Sequence, residues 1–105
     1  MSEGLGKELE SGTGVAVEDE LKTPSLFKVV LHNDDYTTME FVVRVLTSVF
    51  RKSHDEAVEI MMAVHQEGRG VCGVYPHELA EFRVERTTRL ARESGFPLLC
   101  TMEEE

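Results

Sequence analysis

Two stretches of this chain carry the same start signal for a helix. In Thr37-Thr38-Met39-Glu40 and in Ser53-His54-Asp55-Glu56 a hydroxyl residue stands three places before a glutamate, so the hydroxyl can hold a free backbone amide while the glutamate reaches back. Apolar residues then recur at helical spacing, Phe41, Val42, Val45, Leu46, Val49 and Phe50 after the first signal and Ala57, Ile60, Met61 and Val64 after the second. The pattern predicts one helix over about 38–51 and another over about 54–67, the second closed by Gly68 where a left-handed cap is wanted. Two such helices in succession cannot bury their apolar faces alone. A further apolar surface has to come from the same short chain.

Short β-branched runs supply it. Leu26-Phe27-Lys28-Val29-Val30-Leu31 reads as a strand that begins after Pro24 and ends at the polar turn Asn33-Asp34-Asp35. Gly70 to Tyr75 reads as a second strand, in which Gly73 invites a bulge or a close backbone approach. Pro76 suits the first turn of a helix, and residues 77–94 carry Ala80, Val84, Thr87 and Ala91 on one stripe, with Arg86, Arg89 and Arg92 on the solvated side and Gly95 as the stop. Leu98 to Met102 makes a third strand after Pro97. The order β-α-α-β-α-β predicts an α+β fold, with three helices packed on one face of a small three-stranded antiparallel sheet. Residues 23–105 form one core domain. Residues 1–22 hold four of the eight glycines, six acids and two bases and no aromatic residue, and they read as a disordered extension.

Composition narrows the function classes. Twenty acids against eleven bases give a formal charge of -9, which argues against a partner with a phosphate backbone. No apolar run approaches the roughly 18 residues of a membrane helix. The N-terminus lacks the order of a secretory signal and the arginine-rich bias of a transit peptide, which points to the cytoplasm and to Cys72 and Cys100 as reduced packing residues. Ser53 is explained as a cap, and neither cysteine is flanked by a nucleophile's turn, so no catalytic residue is assigned. His32, His54, His65 and His77 have no metal-ligand spacing, and no glycine-rich phosphate loop is present. The expectation is no metal and no cofactor.

One constellation remains. Asn33, Asp34 and Asp35 close a strand just before a helix whose first turn offers Met39 and Val42, while His65 lies one turn after Met61 and beside Val64 on the second helix. If the two helices pack antiparallel, polar acceptors would rim an apolar patch. Each residue also has a plain reading: the Asn-Asp-Asp run as a turn former, His65 as a core residue, the methionines as gap-fillers.

The runs Lys28 to Val42 (KVVLHNDDYTTMEFV), Met62 to Gly68 (MAVHQEG), Cys72 to Tyr75 (CGVY) and Pro97 to Cys100 (PLLC) resemble the bacterial ClpS family, adaptors that hand N-degron substrates to the Clp AAA+ protease. The resemblance covers residues 24–103 in order. It implies that Asn33, Asp34 and His65 bind the free α-amino group and first peptide unit of a substrate. It implies that Thr37, Met39, Val42, Met61, Val64 and Leu98 wall the pocket for the first side chain, a bulky hydrophobic one such as Leu, Phe, Tyr or Trp. Tyr36, Glu78 and Arg83 match positions at which the family meets the N-terminal domain of the unfoldase, of ClpA or ClpC type. The implied protein is a monomer that binds neither nucleic acid nor membrane. Two positions depart from the family pattern: Arg83 where Lys is usual, and Thr38 where Pro is usual, which removes a preset φ from the helix start. The chemistry agrees with the resemblance, because an ammonium group carries only donors and is selected by acceptors such as an amide oxygen, a carboxylate and a neutral imidazole nitrogen. The other class consistent with this architecture is an interaction module like the C-terminal domain of the ribosomal stalk protein, which a lysine-rich docking surface would favour and the near-balanced core does not.

Overall fold

The computed structural model describes residues 24–105, so the extension read over residues 1–22 lies outside the described residues. Three strands, β1 (Leu26–His32), β2 (Arg69–Pro76) and β3 (Leu99–Glu104), form one antiparallel sheet in the order β2-β1-β3. Three helices, α1 (Met39–Ser48), α2 (His54–Glu67) and α3 (His77–Glu93), complete the order β-α-α-β-α-β. Alternation along β1 sends Val29 and Leu31 to one face, where they join Phe41, Val45 and Leu46 of α1, Ala57 and Val64 of α2, and Ala80 and Ala91 of α3 in a single core. Val30 points the other way. It is fully buried and paired with Val71 and Thr101.

The second capping signal forms as read. Ser53 accepts the Glu56 amide at 3.2 Å, Glu56 accepts the Ser53 amide at 3.0 Å, and Gly68 closes α2 at φ 92. The first signal is displaced by one residue. The hydroxyl that accepts the Phe41 amide, at 3.1 Å, belongs to Thr38, while the Thr37 hydroxyl donates to Asp34. An adjacent carboxylate outcompetes the helix for Thr37, so α1 starts at Met39 rather than at 38. Thr38 sits at φ -75, close to the angle a proline ring would impose, and adds a side-chain cap that proline lacks. The helix also ends sooner than the apolar spacing predicts, at Ser48, because the chain turns through Arg51 at φ 58 while Lys52 donates back to the Leu46 carbonyl at 3.0 Å.

Gly73 is the anticipated irregularity. The β1–β2 register shifts between Val29 and Val30, leaving Cys72 without a cross-strand partner, and the Tyr75 ring lies where any Cβ on Gly73 would stand. The bulge turns Cys72 into the core, 1 % exposed. Strand β3 begins one residue later and runs two residues farther than 98–102, since Glu103 and Glu104 pair with Lys28 and Phe27 and the ladder outweighs the charge of the acidic end. Leu98, just before it, is buried in the core.

Arg83 ties α3 to the end of α1. Its guanidinium donates to the Val49 carbonyl and lies 5.2 Å over the Tyr75 ring. A cation at the C-terminal carbonyls of a helix is favourable by about 0.3–1 kcal/mol, more when partly buried. Thr87 on the same helix is less well served. Its hydroxyl is fully buried, has no oxygen or nitrogen partner among the described residues, and lies by the Cys100 thiol. Thr87→Val replaces that hydroxyl by a methyl of nearly equal volume. It should stabilise the fold by about 1 kcal/mol, a rise in Tm of about 4–8 °C in a thermal melt followed by circular dichroism.

Candidate functional site

The β1–β2 ladder ends at His32 and Arg69, and a backbone bond from the Asn33 amide to the Gly68 carbonyl at 2.9 Å continues it, tying the loop after β1 to the end of α2. Gly68 can offer that carbonyl because the left-handed conformation at φ 92 turns the chain out of α2. His65, one turn earlier on α2, is thereby drawn to the Asn33-Asp34-Asp35 loop.

Asp34 organises the loop from inside. One carboxylate oxygen accepts the Tyr36 amide at 2.8 Å and the Thr37 amide at 2.7 Å, and the other accepts the Thr37 hydroxyl at 2.7 Å. Partial burial pushes its carboxyl up, but the hydrogen bonds from the Thr37 hydroxyl and from the Thr37 and Tyr36 amides outweigh it and leave Asp34 below the usual value of 3.8. Three of about four acceptor positions are used within the loop. Asn33, Asp35 and His65 remain exposed beside it.

These groups rim a cavity of about 270 Å³. Asn33, Asp34, Asp35 and His65 form its polar mouth, and Thr37, Met39, Val42, Met61 and Val64 complete its lining. Val42 and Val64 are 5 % and 3 % exposed and make the floor, while Met39, 44 % exposed, stands at the edge. The apolar floor comes from two helices packed side by side, so neither helix alone would build it. Acceptors beside a concave apolar surface suit a ligand with a cationic end and an apolar body.

Eight of the nine residues assigned above to peptide recognition line this one cavity. The ninth, Leu98, is not among the residues lining it and is packed at 4 % exposure in the same core as Val42 and Val64. Asp35 lines the mouth although no contact was assigned to it, and its place in the run with Asn33 and Asp34 was the available signal. His65 is solvent-exposed, which removes the reading of it as a core residue. Tyr36, Glu78 and Arg83 do not form one cluster. Tyr36 is 77 % exposed beyond the His32 end of β1, and Glu78 opens α3 beside the Leu26 end, with about 20 Å of strand between those ends. Arg83 is half-buried and bonded within the fold. Among the described residues no group of three or more His, Cys, Asp or Glu is disposed to hold a metal ion, and no helix is long and apolar enough to cross a membrane.

The family model described as ATP-dependent Clp protease adaptor protein ClpS matches residues 22–101. The chain is similar to the ATP-dependent Clp protease adapter protein ClpS of Nitratidesulfovibrio vulgaris, 55 % identical over 92 residues that cover 88 % of this chain and 92 % of the relative. The protein of that name from Maricaulis maris is 52 % identical over 99 residues, covering 92 % and 91 %. Among solved structures it is similar to Agrobacterium tumefaciens ClpS2 bound to L-phenylalaninamide. That match has a TM-score of 0.77 and 46 % identity, and it covers 79 % of this chain and all of the other.

The Asp34 hydrogen bonds fix a sign. A carboxyl held below its usual value contributes stability that is present above pH 3.8 and is lost as pH falls through the lowered value. Thr37→Val removes the hydroxyl donor and leaves the two amides. The Asp34 carboxyl should then titrate at higher pH, and the stability that it contributes above pH 3.8 should be smaller, its loss on acidification ending at a higher pH. Carbon-13 carboxyl titrations of the two proteins read the shift, and an Asp34 midpoint equal in both would contradict the assigned bond.

Proposed function

The chain belongs to the ClpS family of Clp protease adaptor proteins, and from that premise we propose that the cavity takes the first residue of a substrate protein while Asn33, Asp34 and His65 bind its free α-amino group and first peptide unit. The observation that carries this reading is the acceptor-lined mouth directly above an apolar floor. An α-ammonium with a bulky side chain on the same carbon needs both within a few ångströms. L-Phenylalaninamide, the ligand of the Agrobacterium relative, has the matching chemistry: a free amine, an aromatic side chain, and an amide that stands for the first peptide bond of a longer chain.

Magnitudes agree with a carrier. Each charge-assisted hydrogen bond contributes about 1.5–3 kcal/mol, and burial of a Leu or Phe side chain adds about 1.5–3 kcal/mol. After the freedom lost on association, dissociation constants from high nanomolar to tens of micromolar follow. Such a complex forms readily and still lets go. The adaptor makes and breaks no bond itself and uses no metal or cofactor. It works in the cytoplasm as a monomer and leaves unfolding and cleavage to the protease.

For delivery, Tyr36 and Glu78 are the exposed docking residues for the N-terminal domain of the unfoldase, of ClpA or ClpC type. Arg83 contributes mainly by holding the end of α1, since its guanidinium is already bonded to Val49 and stacked on Tyr75. The acidic segment 1–22 is the part of the chain that the unfoldase engages for hand-off.

Two outcomes test binding and delivery separately. Acetylating a peptide that begins with Phe removes the charge and two donors, so its affinity should fall by more than about 2 kcal/mol, roughly thirtyfold, in a fluorescence-anisotropy titration. Equal affinities would end the N-terminal reading. Tyr36→Ala and Glu78→Ala should leave peptide affinity and Tm unchanged while slowing degradation of an N-degron reporter by the purified protease, whereas Arg83→Ala should also lower Tm.

A further inference from the structure

The sulfur atoms of this protein are unevenly protected. Cys72 and Cys100 are 1 % and 5 % exposed, and burial pushes the Cys100 thiol up to about 12, so neither offers a thiolate to an oxidant. Met61, Met62 and Met102 are half-buried. Met39 is different: 44 % of its surface is open to solvent, and the same side chain lines the recognition cavity. Among the described residues, the most accessible sulfur sits at the mouth of the binding site.

We infer that Met39 is an oxidation site through which a peroxide switches off peptide recognition. The step is a two-electron transfer of oxygen. The thioether sulfur gives an electron pair to one peroxide oxygen, an S–O bond forms as the O–O bond breaks, and hydrogen peroxide leaves as water. The reverse uses a methionine sulfoxide reductase, which returns the thioether, releases the oxygen as water and oxidises two thiols to a disulfide. The consequence follows from the position of Met39, and it rests on the recognition reading given above. A thioether is a soft, flexible apolar surface that can close over a Leu or Phe side chain, whereas a sulfoxide carries a strong acceptor for which such a side chain has no donor. The oxidised side chain has to stay hydrated, and the apolar rim opens.

The test uses the full-length chain treated with graded hydrogen peroxide. Peptide mass mapping follows each methionine, and anisotropy measures affinity for a free-amine peptide beginning with Phe. Met39 should gain oxygen before Met61 and Met102. Affinity should fall roughly tenfold in step with the Met39 sulfoxide fraction, return after treatment with the reductases, and resist peroxide in Met39→Leu. Unchanged affinity in fully converted wild-type protein would overturn the switch, as would oxidation of Met61 at the same rate or an equal loss in Met39→Leu. If Met39→Leu binds poorly before treatment, the dose correlation in the wild-type protein decides. If the untreated wild-type protein ignores the free-amine peptide, the recognition reading fails and the switch with it, whereas normal binding that survives oxidation overturns the switch alone.

Discussion

The mouth of the cavity rests on the pairing of β1 with β2, carried past His32 and Arg69 by the hydrogen bond from the Asn33 amide to the Gly68 carbonyl. That bond joins the end of the central strand to the end of α2, two elements separated by α1 and a turn. With the packing of α1 on α2, that pairing sets the acceptors of the loop beside the imidazole on α2. A residue with a side chain at position 68 would strain the left-handed cap at φ 92, although nothing stands within 4 Å of a Cβ there. The need for glycine is therefore conformational rather than steric. Gly70, two residues on, is the opposite case: a Cβ would come within 2.8 Å of Val64, a floor residue of the cavity, so space is what excludes a side chain.

Local signals were legible where one residue had one partner to choose. Ser53 stands alone before α2, and its box with Glu56 formed as written. At α1 two adjacent threonines competed, and a third party, Asp34, took the hydroxyl of the first. No period or propensity contains that contest, because it depends on how the loop folds over its own carboxylate. The end of β3 was missed for a related reason. Glu103 and Glu104 look like part of an acidic tail until the register of β1 gives their backbones a ladder to join. The resemblance supplied the site residues, and their convergence on one cavity could not be read from spacing alone, since His65 reaches the mouth only through the α1–α2 packing.

The charge of the chain and the chemistry of the mouth point the same way. A protein with net charge -9 attracts cations from a distance, but the field alone would not distinguish an α-ammonium from a lysine side chain. On the proposed reading, the distinction comes from acceptors and apolar floor sharing one cavity. An amine attached directly to the carbon that carries the apolar side chain then satisfies both. Asp34 adds rigidity to that geometry by spending most of its acceptors on the loop, which leaves Asn33, Asp35 and His65 as the groups with capacity to spare.

The order β2-β1-β3 buries the backbone of β1 between neighbours and leaves β2 and β3 as outer strands. Both are poor templates for a fourth strand. β2 is interrupted by the bulge at Cys72 and ends at Pro76, whose backbone has no amide hydrogen, and β3 ends in two glutamates that would repel the same pair on another copy. A protein whose partners are chains on their way to being unfolded spends its working life beside exposed, hydrogen-bond-hungry backbone. A sheet that resists strand addition lets it hold such a chain by its first residue without becoming the seed of an aggregate.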